Sequence, residues 1–267
     1  MRSQFSATLL LLAAAMALLA PLHSGQASQQ QQPPQPPVAA TPPAQGTTPP
    51  ATPAPAPQTP APPVQPALRV IVLDPAHGGT DAGARGAANG VLESEIVLVL
   101  ARAVKEELEH QGLRVLLTRQ GNEDPSFDER SALTNGQRGA VFISLHVSST
   151  GPAGTARVYS VEPTGVAAER GGLILWDQAQ ERSAMSSRRL AELVQVQLAQ
   201  KFRGSPEVPL VAPVRQLRTV AAPAVAVEFS SVSVPDRKQL EQAAPPLAEA
   251  IARGVAAFRP LYESGAR

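Results

Sequence analysis

The sequence predicts one α/β domain with a mostly parallel or mixed central sheet and helices on both of its faces. Short apolar or β-branched runs, such as LRVIVL at 68–73 and AVFISLHV at 140–147, have the length of buried strands. Longer segments between such runs carry apolar residues at helical spacing. Because strand and helix patterns alternate along the chain, the α/β class follows.

The elements can be placed in order from these periodicities. The stretch between the fourth predicted strand and Pro223 contains one amphipathic helix and is otherwise less regular. Pro245 and Pro246 interrupt the last helical pattern, and a second helix can begin there because proline is well tolerated in a first turn. Strands are predicted over 68–73, 113–118, 140–147, 156–161 and 224–229, and helices over 93–111, 128–137, 183–201 and 236–258.

The chain is expected to have four parts. Residues 1–27 have the layout of a secretory signal, with Arg2 followed by an apolar run that is shorter than the roughly 20 residues needed to span a bilayer. Residues 28–67 are rich in Pro, Gln, Ala and Thr and are predicted to be a disordered linker. Residues 68–262 form the predicted domain and 263–267 a short tail. We therefore expect export to the periplasm or cell envelope, with membrane attachment only if the signal is uncleaved.

Composition excludes several classes of site. The 23 basic and 22 acidic residues give a formal net charge of +1, and no basic patch is interleaved with aromatic residues, so nucleic acid is not an expected partner. The chain has no cysteine, which excludes disulfides and thiolate metal ligands. A metal site in this chain must use nitrogen and oxygen ligands.

Two of the four histidines are candidates for such a site. His23 lies in the signal region, and His110 lies in the last turn of a predicted helix, where a cation next to free carbonyl groups explains it. His77 and His146 each follow an apolar strand, at the edge of an α/β sheet where ligands bind. Either one alone is explained by a hydrogen bond at a strand end, but the pair favours a site.

A third ligand of a zinc site with two imidazoles is commonly a carboxylate. Glu93 and Glu95 both open the first helix, and residues two apart point about 200° apart, so only one can face the metal. Glu93 is in line with the apolar positions of the helix, whereas Glu95 lies on a wetter face. Favourable interaction of an acidic residue with the helix dipole is the alternative explanation for Glu93.

Glu228 ends a strand of small and branched apolar residues (PAVAVEF). An ionised carboxylate in such a position is costly unless it is paired or acts in chemistry. A general base next to an activated water is one interpretation. An ion pair with a nearby arginine, such as Arg215 or Arg218, is the other, and the residues alone favour neither.

The motifs LDPAHGGTDAGARG, GVLESE, DERSALTNGQRGAVFISLHVS and PAVAVEF resemble the zinc-dependent N-acetylmuramoyl-L-alanine amidases of the amidase-3 type. The resemblance covers nearly all of residues 68–258 and implies a phosphorylase/hydrolase-like fold. It implies that His77, Glu93 and His146 bind Zn²⁺ and that Glu228 is the catalytic carboxylate. Arg130 and Asn135 also match family positions, with a mainly structural role.

The activity implied by the resemblance is hydrolysis of the amide between N-acetylmuramic acid and L-alanine in peptidoglycan, by a zinc-activated water. Peptidoglycan is then the substrate, and a protein activator is an expected partner. Two alternatives remain: a zinc peptidase or deacylase acting on another wall amide, and a catalytically degenerate peptidoglycan-binding module.

The sequence departs from the family motifs at three places: Ala76, Val147 with Ser148, and residues 230–234 (SSVSV). The last segment borders the catalytic edge and is expected to affect substrate fit more than chemistry. The family pattern does not explain residues 163–183, which include Trp176. This segment is a candidate lid, or else a surface loop whose Trp176 caps the core.

Overall fold

The computed structural model describes residues 66–87, 90–163, 174–234 and 236–265. The predicted signal and nearly all of the predicted linker lie outside the described residues, as do residues 164–173 of the candidate lid, so these expectations stay predictions. None of the helices in the described ranges is long and apolar enough to cross a membrane.

The described residues form one six-stranded sheet. In spatial order the strands are β2 (Arg114–Leu117), β1 (Val70–Pro75), β3 (Ala140–Ser148), β6 (Ala224–Ser230), β4 (Thr155–Ser160) and β5 (Leu210–Val211). Strands β2, β1, β3 and β6 are parallel, β4 is antiparallel to β6, and β5 is parallel to β4, so the predicted mixed sheet is confirmed.

The helices follow the predicted order with some corrections. The helix predicted at 183–201 is preceded by a 3-10 helix, Trp176–Ser183, and the last helix is two, the second with proline in its first turn as predicted. The α-helices are α1 (Glu93–His110), α2 (Phe127–Asn135), α3 (Ala184–Lys201), α4 (Arg215–Arg218), α5 (Arg237–Gln242) and α6 (Ala244–Glu263). The sequence did not predict strand β5 and helix α4, because they have only two and four residues, too few to show a periodicity.

The two faces of the sheet are covered differently. Helices α1, α3 and α6 bury one face through a large apolar core that includes Leu73, Ile143, Leu145 and Val227. A smaller apolar cluster covers the other face, where Leu133 of α2 and Leu217 of α4 pack. Helices therefore lie on both faces, as the sequence predicts.

The second face changes character along the strands. Successive strand residues point to opposite faces, so each apolar residue of the large core alternates with a residue of the second face. At the amino ends of the strands these second-face residues are apolar, as with Val72 and Phe142. Towards the carboxyl edge of the parallel strands they become polar. These polar residues are Asp74 of β1, Ser144, His146 and Ser148 of β3, Glu228 and Ser230 of β6, and, on the neighbouring antiparallel strand β4, Arg157 and Tyr159.

Candidate metal centre and active site

Three side chains that the sequence singles out meet at the carboxyl edge of the sheet. The Nε2 atom of His77 lies 3.2 Å from Oε2 of Glu93, and Nδ1 of His146 lies 3.1 Å from Oε1 of Glu93. The two imidazole rings are nearly perpendicular, with centroids 5.4 Å apart. One ligand atom from each residue lies within 4.8 Å of the others, so the group could hold a metal ion.

Glu93 is fixed at this edge by two backbone donors. It is the first residue of α1 and is 5% exposed. The amide of Ala84 donates to Oε2 at 2.8 Å, and the amide of Val147 donates to Oε1 at 2.9 Å. Each carboxylate oxygen therefore has one backbone partner and one imidazole partner, which holds the plane of the carboxylate between the two rings.

Glu95, the alternative third ligand, is not part of this group. It is exposed and forms an ion pair with Arg237. His110 ends α1 at the opposite end of the helix from Glu93. Helix geometry thus separates the two glutamates as expected from the sequence.

The His77 ring is oriented by a carboxylate that the sequence reading did not single out. Oδ2 of Asp81 lies 2.7 Å from Nδ1 of His77, and Oδ1 of Asp81 accepts from the Gly83 amide at 3.0 Å. A carboxylate bound to the second nitrogen of a metal-binding histidine fixes the ring and its tautomer. The spacing of four residues in HGGTD was the available signal. His77 itself has φ 64°, an unusual conformation for a residue other than glycine.

The His146 ring is oriented through a buried polar network. Nε2 of His146 lies 3.3 Å from Oγ of Ser144, and Ser144 donates to Oδ2 of Asp74 at 2.8 Å. The other oxygen of Asp74 accepts from Arg130 Nη1 at 2.6 Å and from Thr118 Oγ1 at 2.7 Å. Asp74 and Arg130 are both almost fully buried, so the pair connects α2 to β1 beneath the site.

The two residues predicted to be structural, Arg130 and Asn135, do connect elements around the site. Arg130 also donates to the carbonyl of His77 at 3.1 Å. Asn135 donates to Thr219 O at 2.9 Å and accepts from the Ala221 amide at 2.7 Å. These bonds tie α2 to the segment that leads into β6.

Hydrogen bonds within the cluster shift the pKa values of His77 and Glu93 in opposite directions. The hydrogen bond to Glu93 raises the pKa of His77 to about 9, although burial opposes the rise. Burial alone would raise the pKa of Glu93, but hydrogen bonds from His146, His77 and the Ala84 amide outweigh it and hold that pKa below its usual range. The carboxylate is therefore anionic and prepared for a cation.

Gly83 is required by close packing inside the cluster. Its φ is +65°, and a Cβ at this position would lie 2.6 Å from Oε2 of Glu93 and 2.7 Å from Cδ2 of His77. A side chain would separate the two residues, so the third glycine after His77 has a specific place in the site.

Glu228 lies beside His146 in the register of β3 and β6. Its Oε1 is 3.4 Å from Nη1 of Arg157 and accepts from the Tyr159 hydroxyl at 3.3 Å. Both partners come from β4, where Arg157 is directly opposite Glu228. The side chain is 23% exposed, so it faces the edge rather than the core.

The ion pair considered from the sequence is therefore real but its predicted partners are wrong. Arg215 lies over the Phe127 ring, 4.8 Å from its centroid, and Arg218 faces Asp177 at 3.9 Å. Arg157 takes their place because antiparallel pairing of β4 with β6 sets it opposite Glu228. Strand pairing of this kind cannot be read from local sequence.

Two of the departures from the family motifs contact each other. Oγ of Ser148 and Oγ of Ser230 are 2.9 Å apart, and both donate to the carbonyl of Thr150, at 2.7 Å and 3.1 Å. The Gly154 amide also donates to Ser230 O at 2.7 Å. These serines thus hold the loop after β3 against the end of β6. The third departure, Ala76, has no positive φ, so the alanine fits.

The described part of the candidate lid lies near the same edge. Nε1 of Trp176 donates to Oδ1 of Asp128 on α2 at 3.0 Å, and the side chain is 48% exposed. Trp176 therefore does not cap the core, because about half of its side chain is exposed and its hydrogen-bond partner lies in the first turn of α2. The expectation that the segment is a lid over the site stays a prediction.

A cleft of about 300 Å³ adjoins the cluster. Its lining includes His77, His146 and Ser144 of the sheet edge and its loop, together with Phe127 and Gln216. An α/β sheet with two imidazoles, a buried carboxylate and an open cleft at its carboxyl edge defines a candidate metal-dependent hydrolase.

Comparison with known proteins identifies the family. Residues 71–257 match the family model described as N-acetylmuramoyl-L-alanine amidase, so the chain belongs to that family. Amidases of this family hydrolyse the amide between N-acetylmuramic acid and L-alanine of peptidoglycan, and this chain is an enzyme of that type. The implied fold and activity are confirmed.

Individual relatives agree with this assignment. The chain is 28% identical over 220 residues to N-acetylmuramoyl-L-alanine amidase AmiA of Escherichia coli, covering 71% of this chain and 76% of AmiA. The structure of AmiC2 of Nostoc punctiforme has the same fold, with a TM-score of 0.56 and 24% identity over 72% of this chain and 97% of AmiC2. The CwlD amidase of Clostridioides difficile, solved in complex with the GerS lipoprotein, has a TM-score of 0.56 and 20% identity over 72% of this chain and 99% of CwlD.

Proposed function

We propose that this amidase is zinc-dependent, that His77, Glu93 and His146 hold the metal, and that Glu228 is its general base. The observation that carries the proposal is the buried Glu93 carboxylate between two imidazole nitrogens, at 3.2 Å and 3.1 Å. A dense group of one anionic oxygen and two nitrogens fits a divalent cation of intermediate softness.

The donor set and its surroundings fit zinc. Two imidazoles and one carboxylate are a common catalytic zinc set and leave a position for water and substrate. Bound zinc supplies Lewis acidity, which makes a water molecule acidic at neutral pH and polarises a carbonyl group. Asp81 and Ser144 each contact the ring nitrogen that does not face Glu93, and such contacts support a metal site by fixing the orientation of both rings.

The contacts of Glu228 support its proposed role as a proton carrier. Arg157 and Tyr159 both contact Oε1, and no contact among the described residues is recorded for Oε2. In the proposed reaction Glu228 takes a proton from the attacking water as the new C–O bond forms. It then gives that proton to the nitrogen of L-alanine as the C–N bond breaks, so the products are a free lactyl carboxylic acid and a free amine.

The cellular setting follows from the substrate and the predicted signal. Peptidoglycan lies in the cell envelope, so we propose that the catalytic domain works there after export. A protein activator is also proposed, since the relative CwlD was solved with a lipoprotein partner.

The test combines metal removal with product analysis. The full chain should contain about one zinc per molecule, lose activity on peptidoglycan after chelation, and regain it with Zn²⁺. Mass spectrometry should show peptides with a free L-alanine amine. Peptides cut at another bond would instead favour a zinc peptidase or deacylase, and zinc binding without release would favour a wall-binding module.

A further inference from the structure

The cleft beside the metal cluster is also lined by residues of α2 and α4. These are Ser126 and Phe127, at the start of α2, and Gln216 of α4. When the scissile amide of a substrate lies next to His77 and His146, this space is available to the part of the substrate beyond that amide.

Gln216 has one hydrogen-bonding atom without a partner. The residue is 4% exposed, and its Nε2 donates to Phe127 O at 3.2 Å and to Ser131 Oγ at 2.9 Å. A carbonyl oxygen can only accept, so the amide group must face Phe127 with its nitrogen. Across the described ranges, Oε1 of Gln216 is the one buried side-chain polar atom with no hydrogen bond.

Such an atom needs an explanation. A buried acceptor without a hydrogen bond has lost its bond to water and gained no replacement, and folded proteins contain few such atoms. Both Nε2 hydrogens already hold α2, so the residue cannot turn to satisfy Oε1 without losing two bonds. The open acceptor is thus built into the way α4 docks on α2, beside the cleft.

Arg215, the residue before Gln216 in the chain, provides a cation that stacks on a cleft-lining residue. Its guanidinium lies 4.8 Å from the centroid of Phe127, a residue that lines the cleft. Within the described ranges no carboxylate forms an ion pair with Arg215, whereas Arg218, three residues later, faces Asp177 at 3.9 Å. Stacking on an aromatic ring restrains the guanidinium while leaving its N–H groups available.

We propose that Gln216 and Arg215 form a subsite for the stem peptide that follows L-alanine. Oε1 of Gln216 accepts a backbone N–H of that peptide, and the Arg215 guanidinium binds a peptide carboxylate. Neutral sugars could offer hydroxyl donors to Gln216 but no carboxylate to Arg215, so the pair fits an acidic peptide rather than the glycan. This inference rests on the proposed function and names the substrate feature that the site selects.

The Arg215 part is tested with two matched substrates, N-acetylmuramoyl-L-alanyl-D-glutamate and its dicarboxamide. With the zinc-loaded full chain, kcat/KM should favour the carboxylate by about tenfold, as for a hydrogen bond to a charged group. The R215Q variant should lose this preference and R215K should keep part of it. The matched control is R218Q, which removes an exposed arginine from the same helix and should keep the full preference.

The Gln216 part is tested by removing the donor from the substrate. Methylation of the amide nitrogen between alanine and glutamate should lower kcat/KM of both proteins. The factor lost by the wild type should be about five times the factor lost by the Q216M variant. A residue that only holds α4 against α2 would change both substrates by the same factor. Equal methylation effects in wild type and Q216M would therefore overturn the assignment of Gln216.

Failure of the subsite can be distinguished from failure of the proposed function. If the wild type releases alanyl peptides but cleaves the acid and the dicarboxamide equally, the subsite is wrong and the amidase assignment stands. If zinc-loaded protein cleaves neither substrate and releases no peptide from peptidoglycan, the proposed function fails, and the subsite with it.

Discussion

The two faces of the sheet use the same strands for different purposes. On the face covered by α1, α3 and α6, apolar side chains continue to the carboxyl ends of the strands, with Leu145 and Val147 still fully buried. On the other face the apolar cluster stops about midway, and polar residues such as Ser144, His146 and Glu228 follow. Of two neighbouring residues along one strand, one thus belongs to the core and the other to the site.

This difference shows how the site can be both polar and rigid. The large core holds the strands in place from one side, so polar groups on the other side need only be oriented locally. The buried Asp74 and Arg130 pair, together with Asp81, does this through short hydrogen bonds to Ser144, His77 and their neighbours. Changes on the two faces should therefore have separable effects on chemistry and stability.

The largest effect is expected from Glu93, where α1 reaches the polar edge. Replacing Glu93 with Gln puts an amide between two backbone donors and two imidazoles, and removes the anionic ligand. Zinc should be lost on dialysis, and peptidoglycan hydrolysis should fall more than about a thousandfold. Metal analysis and turbidity of a peptidoglycan suspension measure this. E95Q is the matched control and should keep both zinc and activity; zinc retained in E93Q would contradict the proposed ligand.

Glu228→Gln is expected to have the next largest effect and to leave the metal in place. Loss of a general base lowers rates by about 10²–10⁴-fold. The kcat on N-acetylmuramoyl peptides should drop in this range while zinc content stays near that of the wild type. Turnover close to that of the wild type would remove Glu228 from the proposed chemistry.

The opposite face is probed at Leu145, between Ser144 and His146 in sequence. Leu145→Ala removes a fully buried side chain from the large core, and the free energy of unfolding should fall by about 2–5 kcal/mol. Denaturant titration measures the loss, and L145M, which nearly keeps the volume, should cost less than about 1.5 kcal/mol. The folded fraction of L145A should keep its zinc and its kcat. A fall in kcat comparable to that of E228Q would show that the two faces are not separable.

The smallest effect is expected from Asp81, which contacts His77 at Nδ1, the ring nitrogen that does not face Glu93. Asp81→Asn keeps a hydrogen-bonding group but no charge, and zinc affinity should weaken by about 10- to 100-fold. Competition with a chelator of known affinity measures this change. The matched control is D128N, which removes an aspartate carboxylate from α2, away from both histidines, and should leave the zinc affinity unchanged. Equal zinc affinities of D81N and the wild type would show that Asp81 stabilises the loop after β1 and does not contribute to zinc binding.

Local sequence predicted much of the fold because its main strands and helices have long, regular patterns. Strand β3 and helix α1 are found close to the predicted bounds. Short elements escaped, since β5 and α4 contain too few residues to show a period. The extension of α6 to Glu263 also escaped, although Tyr262 continues its contact with the core.

The sequence by itself singled out His77, Glu93 and His146, because histidines after apolar strands and the turn angle of a helix are local properties, whereas the resemblance to the family supplied the role of Glu228. Tertiary structure decided their partners. Parallel pairing of β1 with β3 brings Asp74 beside Ser144, and antiparallel pairing of β4 with β6 sets Arg157 opposite Glu228. The docking of α4 on α2 leaves the Gln216 carbonyl without a partner. Such contacts join residues far apart in the chain, so no local pattern encodes them.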